Sequence, residues 1–358
     1  MPERSWEFGN LKLTRRGLLL TGLLAAGCGG PRRPTIKDLD SRDYSDSDPE
    51  RKRLEEILQR RAKAVLDKDE QAYLADLDQS NAELIDRERM VFANLRQFEL
   101  SEFRYITERI WHDPNDQPVF GPVIRVARLS VDATEAGVFP AEAFRYTLGQ
   151  KDGKLVVTEI EPATPETTED ATLGPLLAKE PWNFTPLQVI QAGNVWLAAD
   201  RSVSDLKRYA DLAESEARWV EKLWGDRLRF PGHLLFFTRD PEAFKAWYYF
   251  GSAANFMEDI EGFQHSANGV RKNGEIYANQ FAGARIVVNL QNVKTFSNGD
   301  PQAVLRHELV HAVTARARAT PSTSFSGLGS PTWAVEGFAT WATSLERPAD
   351  RSHERAWV

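Results

Sequence analysis

Cysteine is nearly absent: Cys28 is the only one in the 358-residue chain. One thiol excludes an internal disulfide, so the folded chain depends on its apolar core. Histidine is scarce too, with six residues. The apolar run Leu18–Ala26 is too short to span a bilayer as a stable helix. Positive charge is not in excess. The net charge is −7 and the pI about 5.6, with acids and bases interspersed, which leaves no electrostatic footprint for nucleic acid. A Gly-rich phosphate loop is missing. So is a nucleophile elbow: Ser324-Phe325-Ser326-Gly327-Leu328-Gly329 lacks the strand-Gly-x-Ser-x-Gly-helix pattern. Asp43-x-x-Asp46-x-Asp48 has neither the glycine nor the distal glutamate of a calcium loop. What is plentiful is tryptophan, ten residues in a composition that is 42% apolar. That supports packed cores, and the length is enough for two domains.

The N-terminal segment, residues 1–28, reads as a targeting signal and is left out of fold reasoning. Thr14-Arg15-Arg16-Gly17-Leu18-Leu19 resembles a twin-arginine export signal. Leu24-Ala25-Ala26-Gly27-Cys28 places small residues before a cysteine and resembles a bacterial lipoprotein signal. That resemblance implies cleavage before Cys28 and acylation of its sulfur. Ala25 departs from it, because such signals usually carry a larger apolar residue there. The expectation is an exported protein on the outer face of the cell membrane, held by a lipid anchor; plain secretion is the alternative. Residues 29–50, with Pro31, Pro34 and Pro49 among aspartates and serines, read as a flexible linker.

Between residues 51 and 92 apolar positions recur at helical spacing: Leu54, Ile57, Leu58, Ala62, Val65 and Leu66, then Tyr73, Leu74, Leu77, Leu84, Ile85, Val91 and Phe92. Two helices are expected. The period then changes to two, and strands are expected at 103–107, 122–131, 143–148 and 155–160, with Gln150-Lys151-Asp152-Gly153 as a turn. His112 beside Asp113-Pro114 reads as a surface-loop histidine. Helices followed by an antiparallel sheet indicate α+β packing. The order of elements over 51–162 resembles the NTF2-like fold, a curved sheet wrapped around a helix, as an accessory domain. The proline-rich stretch 163–183 reads as a second linker and domain boundary. Beyond it, a helix is expected from about Ser204 to Trp224, a buried strand over 233–238, a helix capped by Asp240 with Pro241 at its first position, and a strand over 284–290.

The informative stretch is Arg306-His307-Glu308-Leu309-Val310-His311, inside a run without glycine or proline that reads as a helix. Residues four apart share a helix face, roughly 6 Å apart at Cβ. His307 and His311 can therefore offer two imidazoles to one metal ion, and Glu308 sits where its carboxylate reaches a water rather than the metal. A hydrolytic zinc needs a third protein ligand and an open position. Pro331-Thr332-Trp333-Ala334-Val335-Glu336-Gly337-Phe338-Ala339 supplies one carboxylate, Glu336, at the start of a second helix in an apolar setting. A carboxylate buried there would be costly unless paired, and a metal would offset that cost. The plain alternative is a solvated first-turn acid favoured by the helix dipole.

These segments resemble the gluzincin metallopeptidases, thermolysin-like enzymes with an HExxH helix and a downstream glutamate, and most closely the small "peptidase MA-like" domains. The resemblance covers residues 184–358. It implies a zincin-like domain, Zn²⁺ held by His307, His311 and Glu336, Glu308 as general base, and hydrolysis of a peptide or protein substrate. Two departures stand out. The chain ends soon after Glu336, where such domains usually continue with further helices, and no tyrosine or histidine is clearly placed to stabilise an oxyanion; Arg351 and His353 are the only late candidates. These departures favour the alternative of a lipid-anchored binding or scaffolding protein with an inactive peptidase fold. Substrate in such folds lies along a sheet edge. The strand expected to receive it is 285–290, with Val287, Val288 and Asn289 against the peptide; the alternative is an interior strand paired on both sides.

Overall fold

The computed structural model describes residues 49–345, apart from 108–110, 113–117, 133–136, 169–172, 174–175, 177–178, 226–229, 248–259, 268, 273, 278–281, 297–298 and 319–331. The stretch expected to carry export and lipidation signals, with Cys28, lies outside the described residues, as do most of the 29–50 stretch and Arg351 and His353. The fold is mixed α and β.

Helix α1 (Pro49–Asp67) buries Leu54, Ile57, Leu58, Ala62 and Val65 along one stripe, as the spacing requires. Leu66 falls outside it and is exposed. Three helices occur where two were expected, because two polar caps interrupt the run. Asp69 accepts the Ala72 N–H and starts α2 (Glu70–Leu74); Asn81 accepts the Leu84 N–H and starts α3 (Ala82–Leu95). Strands β1 (Leu100–Ile106), β2 (Trp111–His112), β3 (Val119–Leu129), β4 (Val138–Lys151) and β5 (Lys154–Pro162) follow, all paired antiparallel. His112 lies in a strand rather than a loop. Asp152 and Gly153, at φ 51° and 73°, make the expected turn between β4 and β5.

After the single turn α4 (Pro165–Thr168) come the hairpin β6 (Gln188–Ala192) and β7 (Val195–Ala199), then α5 (Ala210–Trp224), which begins with a 3-10 turn over Leu206–Tyr209. Strand β8 (His233–Thr238) leads to α6 (Pro241–Ala246), whose cap Asp240 accepts the Glu242 and Ala243 N–H groups. Then come β9 (Gly262–Ala267), β10 (Gly269–Arg271), β11 (Ile276–Tyr277), β12 (Gly283–Asn289), α7 (Leu290–Phe296), α8 (Gln302–Arg318) and α9 (Thr332–Ser344).

Two sheets result. The first has order β1-β3-β4-β10-β11, with β2 on β3 and β5 on β4. The second has order β6-β7-β8-β12-β9, in which β7, β8 and β12 are parallel and the outer strands antiparallel. The central strands of the second sheet are buried on both faces, which is why His233-Leu234-Leu235-Phe236-Phe237-Thr238 reads as one apolar block. Leu235, Phe237, Ile286 and Val288 point into a core shared with α5, α8 and α9. Leu234, Phe236, Val287 and Trp196 point the other way, into a core shared with α1, α3 and the first sheet.

The stretch expected to be a linker supplies buried side chains: Ala163, Leu173 and Leu176 under the first sheet, Trp182 between the sheets. Arg285 on β12 is fully buried; it donates to Asp132 at 2.5 Å and to Glu180 at 3.2 Å. Residues 47–358 form one compact unit.

Candidate metal centre

Helix α8 is held from behind. Leu305, Leu309, Val310 and Val313 are fully buried against the second sheet and its helices. Arg306 donates to Glu216 of α5 at 3.0 Å, and Gln302 donates to the same carboxylate at 2.6 Å. The Arg306 guanidinium also lies 4.2 Å over the Trp219 ring. With that face fixed, the i, i+4 positions His307 and His311 are left on the face toward α9.

The two imidazoles converge. His311 Nε2 is 2.9 Å from His307 Nε2; Glu336 Oε2 is 3.2 Å from His307 Nε2 and 3.4 Å from His311 Nε2. Each residue offers one ligand atom, and the three atoms lie within 4.8 Å of one another. Ligands about 2.1 Å from a common tetrahedral centre lie about 3.4 Å apart, so the spacing and the donor set suit Zn²⁺. Burial lowers the His307 pKa, the His311 ring beside it lowers it further, and Glu336 opposes both. The donor needed by a metal, a neutral imidazole, is thereby favoured.

Glu336 departs from the sequence argument. Its side chain is 53% exposed, against 25% for His307 and 12% for His311. The cost of burying a carboxylate therefore does not single it out. What does is α9 packing on α8 through Ala339 and Ala342, which aims residue 336 at the two rings.

Glu308 has the burial that Glu336 lacks. It is 7% exposed, and its pKa is pushed up to about 8 by burial and by the Glu336 carboxylate. The main-chain N–H of Gln264 on β9 faces this carboxyl and opposes the rise. Gly262 fits because it has no side chain: a Cβ there would lie 2.8 Å from Val304 Cγ1 and 3.5 Å from Glu308 Cγ. Strand β9 thus runs directly beside the helix that carries His307, Glu308 and His311.

No family model, no curated protein and no solved structure matches this chain. The site therefore stands on its own geometry.

The expected substrate strand is corrected. β12 is interior: Arg285–Asn289 pairs with β8 on one side, and Gly283–Val288 pairs with β9 on the other. Val287 and Val288 are fully buried on opposite faces. Asn289 is 2% exposed and caps α7 by accepting the Gln291 and Asn292 N–H groups. A strand buried on both faces and paired on both edges has no open ladder to offer.

The edge nearest the site is β9, paired only with β12 among the described residues. Its sequence, Gly262-Phe263-Gln264-His265-Ser266-Ala267, has a weak strand signal. It carries three small residues and a histidine in place of the β-branched run that marks strands.

Proposed function

We propose that this chain is a zinc-dependent metallopeptidase, exported and held at the outer face of the cell membrane by a lipid on Cys28. The observation that carries the reading is the convergence of His307, His311 and Glu336 within 4.8 Å beside a buried glutamate. His307, His311 and Glu336 would hold the ion. When bound, Zn²⁺ supplies a Lewis acid that polarises a carbonyl and lowers the pKa of water towards about 7.

The remaining steps belong to the chain's own residues. The Glu308 carboxylate accepts a proton from water at its oxygen and passes it to the leaving nitrogen. The side of β9 turned away from β12 accepts an extended peptide through main-chain hydrogen bonds, one strand away from the strand expected from the sequence. Gly262 and Gln264 set that edge against Glu308. By this reading the first sheet with α1–α3 is an accessory NTF2-like element on a zincin-like core.

The deciding experiment uses the chain without its signal. Metal analysis should find one zinc per chain, lost in His307→Ala. Glu308→Gln should keep the metal and lower peptide turnover by about 10²–10⁴-fold, the range for a removed general base. Wild-type protein that retains no metal would end the reading. Zinc retained without peptide cleavage would favour the non-catalytic binding protein instead. Anchoring is tested separately: Cys28→Ser should move the full chain from the membrane fraction to the soluble one.

A further inference from the structure

Strands β9 and β12 pair antiparallel, from Val288 opposite Gly262 to Gly283 opposite Ala267, and form a hairpin of the second sheet. The tip of this hairpin does not stay in that sheet. Only residue 268 separates β9 from β10, and β10 pairs with β4 of the first sheet, Gly269 opposite Pro140, Val270 opposite Phe139 and Arg271 opposite Val138. β11 then folds back on β10. The return is closed by the Ala282 N–H donating to Ala267 O at 3.0 Å.

The insertion is tightly made. Val270 is fully buried with Ile106, Ile124, Val126, Ala141 and Ala143, all on one face of the first sheet. A Cβ at residue 269 would lie 2.1 Å from Phe139 O, so only glycine lets β10 approach β4 this closely.

We propose that the first sheet positions the peptide-receiving edge of the metal site, with Val270 and Gly269 as its positioning residues. The inference rests on the reading of β9 as that edge. The physical argument is one of constraint. An edge strand is paired along one side only and is prone to shift or fray. Among the described residues β9 pairs with β12 alone, and by the proposed reading its other side receives the peptide. Clamping the tip in a second sheet fixes the register of β9 against Glu308 without covering that side. The order of elements follows from this: a strand of the metal-bearing sheet continues at once into a strand of the other sheet.

The test compares Val270→Ala with Leu176→Ala in the full chain. Both remove apolar volume from the same buried cluster, but only Val270 belongs to the hairpin tip. Amide hydrogen exchange is followed over 262–267 and over 302–318, together with KM and kcat for a peptide. Val270→Ala should speed exchange over 262–267 at least tenfold and leave 302–318 unchanged. It should raise KM severalfold with kcat nearly constant and zinc content intact. Leu176→Ala should do neither at equal loss of stability. Equal effects of the two variants, or unaltered exchange at β9 in Val270→Ala, would overturn the proposal. If Val270→Ala does not fold, Val270→Thr keeps the volume and serves instead. If wild-type protein cleaves no peptide, the hydrolase reading fails, while the exchange comparison still decides whether the tip holds β9.

Discussion

Neighbouring glutamates and histidines of this chain meet different fates, and their surroundings decide which. Glu308 is buried and its pKa is pushed up to about 8, whereas Glu336 is exposed and lies 3.2 and 3.4 Å from two imidazoles. His265 on β9 is half-buried; burial pushes its pKa down to about 4, and Lys179 and Arg285 push the same way. Its unfolded value is about 6.5. Between those values the unfolded chain binds the proton and the folded one does not, so this group lowers stability as pH falls from about 6.5 to about 4. The slope for one proton is at most about 1.4 kcal/mol per pH unit. His265→Gln should flatten that part of the stability–pH curve. Urea unfolding midpoints between pH 4 and 7 check it, and an unchanged slope would show that His265 is not the titrating group.

At the scale of elements, α8 owes its orientation to the side facing away from the site. Its apolar residues do not form a narrow stripe; Leu305, Leu309, Val310 and Val313 are all buried, and Arg306 is buried with them. The Glu216 carboxylate takes donors from both Arg306 and Gln302, so it ties the first turns of α8 to α5. Removing one partner of a buried ion pair costs about 3–5 kcal/mol. Glu216→Ala should therefore lower the unfolding free energy by about that much and loosen α8. Hydrogen exchange over 302–311 should rise with it, and zinc affinity should fall. A variant as stable as wild type would show that the pair contributes nothing.

Across the whole molecule, the two sheets share one core. Leu234, Phe236, Val287 and Trp196 of the second sheet are covered by residues that precede it in sequence, and Arg285 reaches back to Asp132 and Glu180. A fragment of residues 184–358 would expose that apolar face and strip Arg285 of both carboxylates. It should bind ANS and melt without a cooperative transition, while residues 47–358 unfold cooperatively. A cooperative melt from the fragment would show that the halves fold independently.

Local chemistry was legible in the sequence wherever a short-range rule governs. The i, i+4 histidines, the Asp240 cap with Pro241, the Asp152-Gly153 turn and the period-two strands β1, β3, β4 and β5 each follow from spacing within a few residues. Tertiary structure alone decided the rest. Whether Arg285–Asn289 is an edge or an interior strand depends on what pairs beside it, and its apolar run suits both. β9 gave little signal, because an edge beside a helix selects for small residues such as Gly262 rather than for β-branched ones. The proline-rich stretch 163–183 looked like a tether because proline punctuates packed and open segments alike; its buried Leu173, Leu176 and Trp182 reveal the packing. The closing of Glu336 on His307 and His311 needed the packing of α9 on α8, since no local rule sets the distance between side chains on different helices.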